Sequence, residues 1–195
     1  MVVWSYKNTT VATNLNPEGS IQMNVFHYEA PKMRIPDLVL KYEKPSKVLE
    51  QCDESLKPLI EKMLKVMVHV DDRECVIDYK VRTLKAGDTG SGIYGYHLDC
   101  CNDIWDDFEP ETHLIYSTVV GTKFLLDPID ITGYNSVQEV LANTESMEYN
   151  APVEWVHQYT SKVLHSCPIV EEDCQRILIR VTAGFKDRIK HAKRK

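Results

Sequence analysis

Apolar side chains at Leu49, Cys52, Leu56, Ile60, Met63 and Met67 recur at spacings of three and four. That period places them on one face of a helix, predicted over about 46–68, which would cover a sheet with its apolar stripe. Ser46 is the predicted N-cap, and Pro58 is expected to kink the helix or divide it in two. After Asp72 the period shortens. Cys75–Leu84 is rich in strand formers and runs into a glycine-rich turn over 85–92. Further strands are predicted over 93–99, 113–118, 122–126, 153–159, 161–165 and 176–182. Ser136 can cap a short helix through Ala142. Before residue 46 the pattern is weaker: a polar turn over 14–20, short apolar runs around Val25 and Leu38, and Pro31, Pro36 and Pro45 as breaks. Many short strands separated by turns predict a mainly β fold with flanking helices (α+β), a barrel or jelly roll.

A length of 195 residues fits one domain. Its expected parts are a supporting region with the helix (1–72), a β core (73–184) and a basic C-terminal helix or tail (185–195). Composition is that of a soluble globular chain, 43% hydrophobic and 27% charged. No apolar run approaches a membrane span, and the first residues lack the pattern of a secretory signal, so the expected location is cytoplasmic. The six cysteines form no C-x-x-C pair, and most are expected to be small buried hydrophobes. A net charge of −6 argues against whole-surface attraction to nucleic acid. That charge is uneven. Residues 99–111 carry six acids and no base, expected as a solvated loop, while 185–195 carry six Lys or Arg.

Within this pattern, Tyr96-His97-Leu98-Asp99 carries the first chemistry. On a strand, residues two apart point to the same side, so His97 and Asp99 would offer one imidazole and one carboxylate to a single metal. His165 is the preferred third ligand, with His157 as its competitor. Two histidines and one carboxylate on one face of an octahedron leave three positions open, which suits non-haem iron. A zinc set of His97 with Cys100 and Cys101 is the minor alternative. Eleven residues after His165, Arg176 opens an apolar strand, and its fork can bind a carboxylate at two points. Arg180 shares its face and would either replace it as anchor or pair with a buried acid. His113, at a strand start, is expected to be exposed and inert.

Taken together, these residues resemble the Fe(II)- and 2-oxoglutarate-dependent dioxygenases of the prolyl-hydroxylase type. The resemblance spans roughly Val76 to Thr182. It rests on the His97–Asp99 pair, a tyrosine-bearing strand with a glycine turn at Gly121, His165 as distal ligand, and Arg176 opening the last core strand. It implies a double-stranded β-helix with Fe(II) at His97, Asp99 and His165. It also implies 2-oxoglutarate as co-substrate, anchored by Arg176 with help from the Tyr116 hydroxyl, and O2 as oxidant. The implied products are succinate, CO2 and a hydroxylated substrate. Two positions depart from the pattern. Leu178 stands where a Ser or Thr is frequent two residues after the arginine, and Gly121 is single where two glycines are common. No segment carries a substrate signature, so a small molecule, a peptide or a nucleobase would each fit. A cupin-like metal protein without 2-oxoglutarate, or a non-catalytic binding protein on the same fold, is the alternative.

Overall fold

The computed structural model describes residues 21–91, 93–99, 109–127, 129, 134 and 136–186. The predicted turn over 14–20 and the basic end beyond Lys186 lie outside them.

The chain is mainly β, with two antiparallel sheets that do not close into a barrel among the described residues. Nine strands are described: β1 (Ile21–His27), β2 (Leu38–Glu43), β3 (Cys75–Leu84), β4 (Thr112–Ser117), β5 (Lys123–Leu125), β6 (Glu148–Asn150), β7 (Trp155–Thr160), β8 (His165–Ser166) and β9 (Cys174–Ala183). The larger sheet runs β1-β7-β4-β9-β3-β2 and the smaller β6-β5-β8. At its centre β3 pairs with β9 over ten consecutive positions, Cys75 with Ala183 through Leu84 with Cys174.

Alternation gives the large sheet two different faces. Ile77, Tyr79, Val81, Leu114, Tyr116, Val156, Ile177, Ile179 and Val181 project to one side and are buried against Val48, Leu56, Leu59, Ile60, Met63 and Met67. These last residues belong to α1 (Pro45–Gln51), a 3-10 turn (Glu54–Leu56) and α2 (Lys57–Val70). The helical stripe is therefore core, as its period predicts, and the helix over 46–68 is divided in two, one of the two outcomes expected, although not at Pro58. The break falls at Cys52 and Asp53, where both backbones are extended and the Asp53 carboxylate caps the following turn. Pro58 sits in the first turn of α2, where its missing N–H costs nothing, and so starts a helix instead of kinking one. Ser46 does not cap α1; Lys44 holds that position without a side-chain bond, and Pro45 opens the helix.

On its other face the large sheet meets the small one. Ile115, Tyr159 and Leu178 pack there against Phe124 and Tyr149. Behind the small sheet, α3 (Val137–Asn143) buries Val140 against Leu125 and Leu164, with the Ser136 hydroxyl accepting the Glu139 N–H at 3.2 Å. The expected role of Gly121 is also corrected. The left-handed residue between β4 and β5 is Val119 (φ 66°). Gly121 is required because a Cβ there would overlap the Ala151 carbonyl oxygen. No helix among the described residues is long and apolar enough to cross a membrane.

Candidate metal centre

His97 and Asp99 reach the site from an extended segment, not from the regular strand predicted over 93–99. One bridge holds it: His97 N–H donates to the His165 carbonyl at 2.9 Å, and His165 N–H donates back at 3.1 Å. That bridge sets the two histidines side by side, ring centroids 4.5 Å apart. His165 opens β8, which pairs with β5 through Phe124. One ligand atom from each of His97, Asp99 and His165 lies within 4.8 Å of the others. His157, the competing candidate, is not in this group; its ring bonds the Asn24 N–H (3.3 Å) and the Pro152 carbonyl (3.2 Å).

Hydrogen bonds fix which imidazole nitrogens are available. His165 Nδ1 lies 2.9 Å from the Val163 carbonyl and His97 Nδ1 lies 3.1 Å from the Gly95 carbonyl. A carbonyl only accepts, so each Nδ1 carries a hydrogen and Nε2 is the nitrogen each ring turns toward the site. His165 Nε2 accordingly faces Asp99 Oδ2 at 3.3 Å. Burial lowers the pKa of His97, and the neighbouring His165 lowers it further, which favours the neutral, metal-binding ring. Burial works against ionisation of Asp99, but the charges of Arg180 and His165 prevail and hold its carboxyl well below the usual range. The same oxygen accepts the Tyr159 hydroxyl at 2.6 Å and an Arg180 Nη1–H. Tyr159 is correspondingly harder to ionise, through burial and the Asp99 charge.

Arg180 is committed to structure. Its Nη2 donates to Asp78 Oδ2 at 2.8 Å while Nη1 holds Asp99, so it realises the buried-acid pairing. Arg176, on the same face four residues earlier, has a different surrounding. Its Nε donates to Ser117 Oγ (3.0 Å), and its Nη1 donates to the Thr89 carbonyl (2.9 Å) and Cys167 Sγ (2.7 Å). Its Nη2 is buried with no hydrogen-bond partner among the described residues. Ser117 is the register partner of Leu178.

Tyr116 does not join Arg176. It pairs with Ile179, on the opposite face, and is buried under the helices with its hydroxyl donating to the Tyr28 carbonyl at 3.2 Å. The expected supporting role is corrected on that ground. His113 is fully buried, not exposed, with Nδ1 2.9 Å from Thr182 Oγ1 and its ring 4.7 Å from that of Tyr159. Sequence reasoning missed Tyr159 and Asp78, although both fall on the inward register of β7 and β3. Glu111 is also buried, contrary to a fully solvated acidic segment. Cys100, Cys101, Asp103, Asp106 and Asp107 lie outside the described residues, and the zinc alternative with them. The described cysteines, Cys52, Cys75, Cys167 and Cys174, are free; Cys52 is buried and the other three are half-buried, so burial is less general than expected.

The arrangement defines a mainly β protein with a His-Asp-His group able to hold a metal. No protein-family model matches the sequence, and no curated protein matches it. Among solved structures, the chain resembles AviO1 from Streptomyces viridochromogenes Tue57 at 12% identity and a TM-score of 0.45, covering 69% of this chain and 64% of that one. It also resembles EvdMO1 at 12% identity and a TM-score of 0.46, covering 83% of this chain and 38% of that one. The chain thus spans less than two thirds of the length of either.

Proposed function

We propose that the protein is a non-haem Fe(II)- and 2-oxoglutarate-dependent oxygenase on a double-stranded β-helix, hydroxylating its substrate with release of succinate and CO2. The observation that carries this reading is the convergence of His97, Asp99 and His165 donors within 4.8 Å. Two imidazoles and one carboxylate fit Fe(II), and such a facial set leaves positions for a 2-oxo acid and O2. When bound, the iron would supply the oxygen chemistry that side chains lack.

The chain's own residues prepare that site. Asp99 is ionised before any metal arrives, because Arg180 neutralises it and Tyr159 donates to it. Both histidines present Nε2 toward the site, and burial favours the neutral ring of His97, the form that binds a metal. Arg176, with one unpartnered Nη2, is the anchor for the far carboxylate of 2-oxoglutarate. Four residues of strand, roughly 13 Å between Cα atoms, separate it from Arg180 at the metal ligands.

The test is an anaerobic visible spectrum of the protein with Fe(II) and 2-oxoglutarate. A metal-to-ligand charge-transfer band that appears only with both, and is lost in His165→Ala, is expected. Tight Fe(II) binding with no band at saturating 2-oxoglutarate would leave a metal protein of another class.

A further inference from the structure

Arg82 and Arg176 are direct register partners on β3 and β9. Partners in an antiparallel pair project to the same side, so two guanidinium groups lie on the side of the sheet away from the helices, under the turn that carries Thr89 and Gly90. Like charges placed opposite each other destabilise a sheet unless something separates or neutralises them. What lies between them is a cavity of about 30 Å³, lined by Lys80, Arg82, Gly90, Ser91, Arg176 and Leu178 among others. No acidic residue lines it among the described residues. On this face of β3 the acid is Asp78, which is bonded to Arg180 and lies 3.9 Å from Lys80. Arg82 has one bond inward, Nη1 to the Gly90 carbonyl at 3.0 Å. Arg176 adds a buried Nη2 with no hydrogen-bond partner among the described residues.

Three cations around an acid-free cavity, one of them with an unused buried donor, describe a site for an oxyanion. A single water needs about 10–15 Å³ of such space, so the cavity has room for one small head group. A carboxylate offers about four lone-pair directions on two oxygens, enough for two guanidinium groups at once.

We propose that Arg82 is a second anchor for the oxyanion held by Arg176, with Lys80 adding positive potential on the same side. One oxyanion bridging β3 and β9 then relieves the opposed charges. This rests on the oxygenase reading only in naming the group as the far carboxylate of 2-oxoglutarate; the paired-arginine site itself does not depend on it. Inorganic phosphate, which has the same chemistry, should compete for the cavity.

The experiment uses the full chain loaded with Fe(II) under anaerobic conditions. The 2-oxoglutarate midpoint is read from the visible band, the Fe(II) midpoint separately, and inorganic phosphate binding by calorimetry. Arg82→Gln should raise the 2-oxoglutarate midpoint at least tenfold, Arg82→Lys should recover most of that loss, and Fe(II) binding should stay within twofold of wild type. Arg82→Met, which keeps the packing of the stem, replaces the glutamine variant if that one does not fold. A 2-oxoglutarate midpoint unchanged in these variants overturns the proposal and leaves the oxygenase reading standing. If wild type gives no band, the oxygenase reading falls and phosphate decides the site. Phosphate binding weakened at least tenfold by Arg82→Gln supports it, and absence of phosphate binding overturns it.

Discussion

Arg176 and Arg180 sit two inward positions apart on one strand, and the groups around them assign opposite work. Arg180 closes a chain of charges from Asp78 to Asp99 in a buried environment. Removing one partner of a buried ion pair costs about 3–5 kcal/mol, because the other charge is left unpaired. Arg180→Met should therefore lower stability to urea by about that amount. Arg176→Met, which strands no acid, should cost clearly less and leave the Fe(II) midpoint unmoved while weakening 2-oxoglutarate. Equal losses of stability would mean that both arginines serve the fold alone. His157 yields a second expectation. Burial pushes its pKa down to about 4 from an ordinary value near 6.5. Between those values the unfolded chain holds the proton and the folded one does not, so stability rises with pH through that window. The full contribution, about 3 kcal/mol, is present above pH ~6.5 and lost as pH falls through ~4. His157→Gln should flatten the stability profile between pH 4 and 6.5, and an unchanged slope would place the titration elsewhere. At this scale the His-Asp-His group was legible because residues two apart on extended backbone share a side, which put His97 and Asp99 together. Tyr116 was misread because a residue's face depends on register, and one position along β4 separates Tyr116 in the core from Ser117 beside Arg176.

Elements with a long, uninterrupted period were read closely. β3 matches its prediction at both ends, and β9 extends the predicted strand by two residues at one end and one at the other. Both have ten positions over which strand formers outweigh every competing signal. Short elements were not so readable. β1 and β2 were seen only as short apolar runs, since edge strands need few apolar residues and proline breaks surround them. Over 93–99 strand formers predict a ladder, yet one bridge to His165 is made, and Gly95 at φ 79° turns the chain just before His97. The predicted strand over 161–165 shrinks to β8 because 161–163 turn back toward Val163, where its N–H meets the Thr160 carbonyl. Gly121 allows the β4–β5 connection to lie against Ala151, next to the start of β5. Gly121→Ala must push that backbone away. Overpacking costs about 1–3 kcal/mol, and β5 carries β8 with His165, so the loss should reach the site. A fall in melting temperature together with a weaker Fe(II) midpoint is expected; full stability would mean the connection shifts freely.

Viewed whole, the molecule is two unlike halves joined by one sheet. The helix side is apolar, whereas the side toward the small sheet carries Asp78, Lys80, Arg82, Arg176, Arg180, His113 and Tyr159 among its apolar packing. Such a polar interior is costly to desolvate unless its groups are paired or bind something. The described contacts pair Asp78, Asp99 and Arg180 with one another, but two imidazole Nε2 atoms and one carboxylate still converge. A divalent metal there would bind the folded chain alone, since Asp99 and His165 are 66 residues apart in sequence. Binding restricted to the native state stabilises it by about 2.7 kcal/mol at a hundredfold excess over Kd. For a chain of this size each kcal/mol moves the melting temperature by about 2–4 °C, so Fe(II) or Mn(II) at that excess should raise it by about 5–11 °C. The rise should disappear in His165→Ala and Asp99→Ala. It should persist in His157→Ala, whose baseline stability is lower because the Asn24 and Pro152 groups lose their partner. Thermal melts of the four proteins with and without metal, at one protein concentration, check this. A metal-dependent rise that survives His165→Ala but vanishes in His157→Ala would move the centre across the sheet to β7 and take the Arg176 anchor with it.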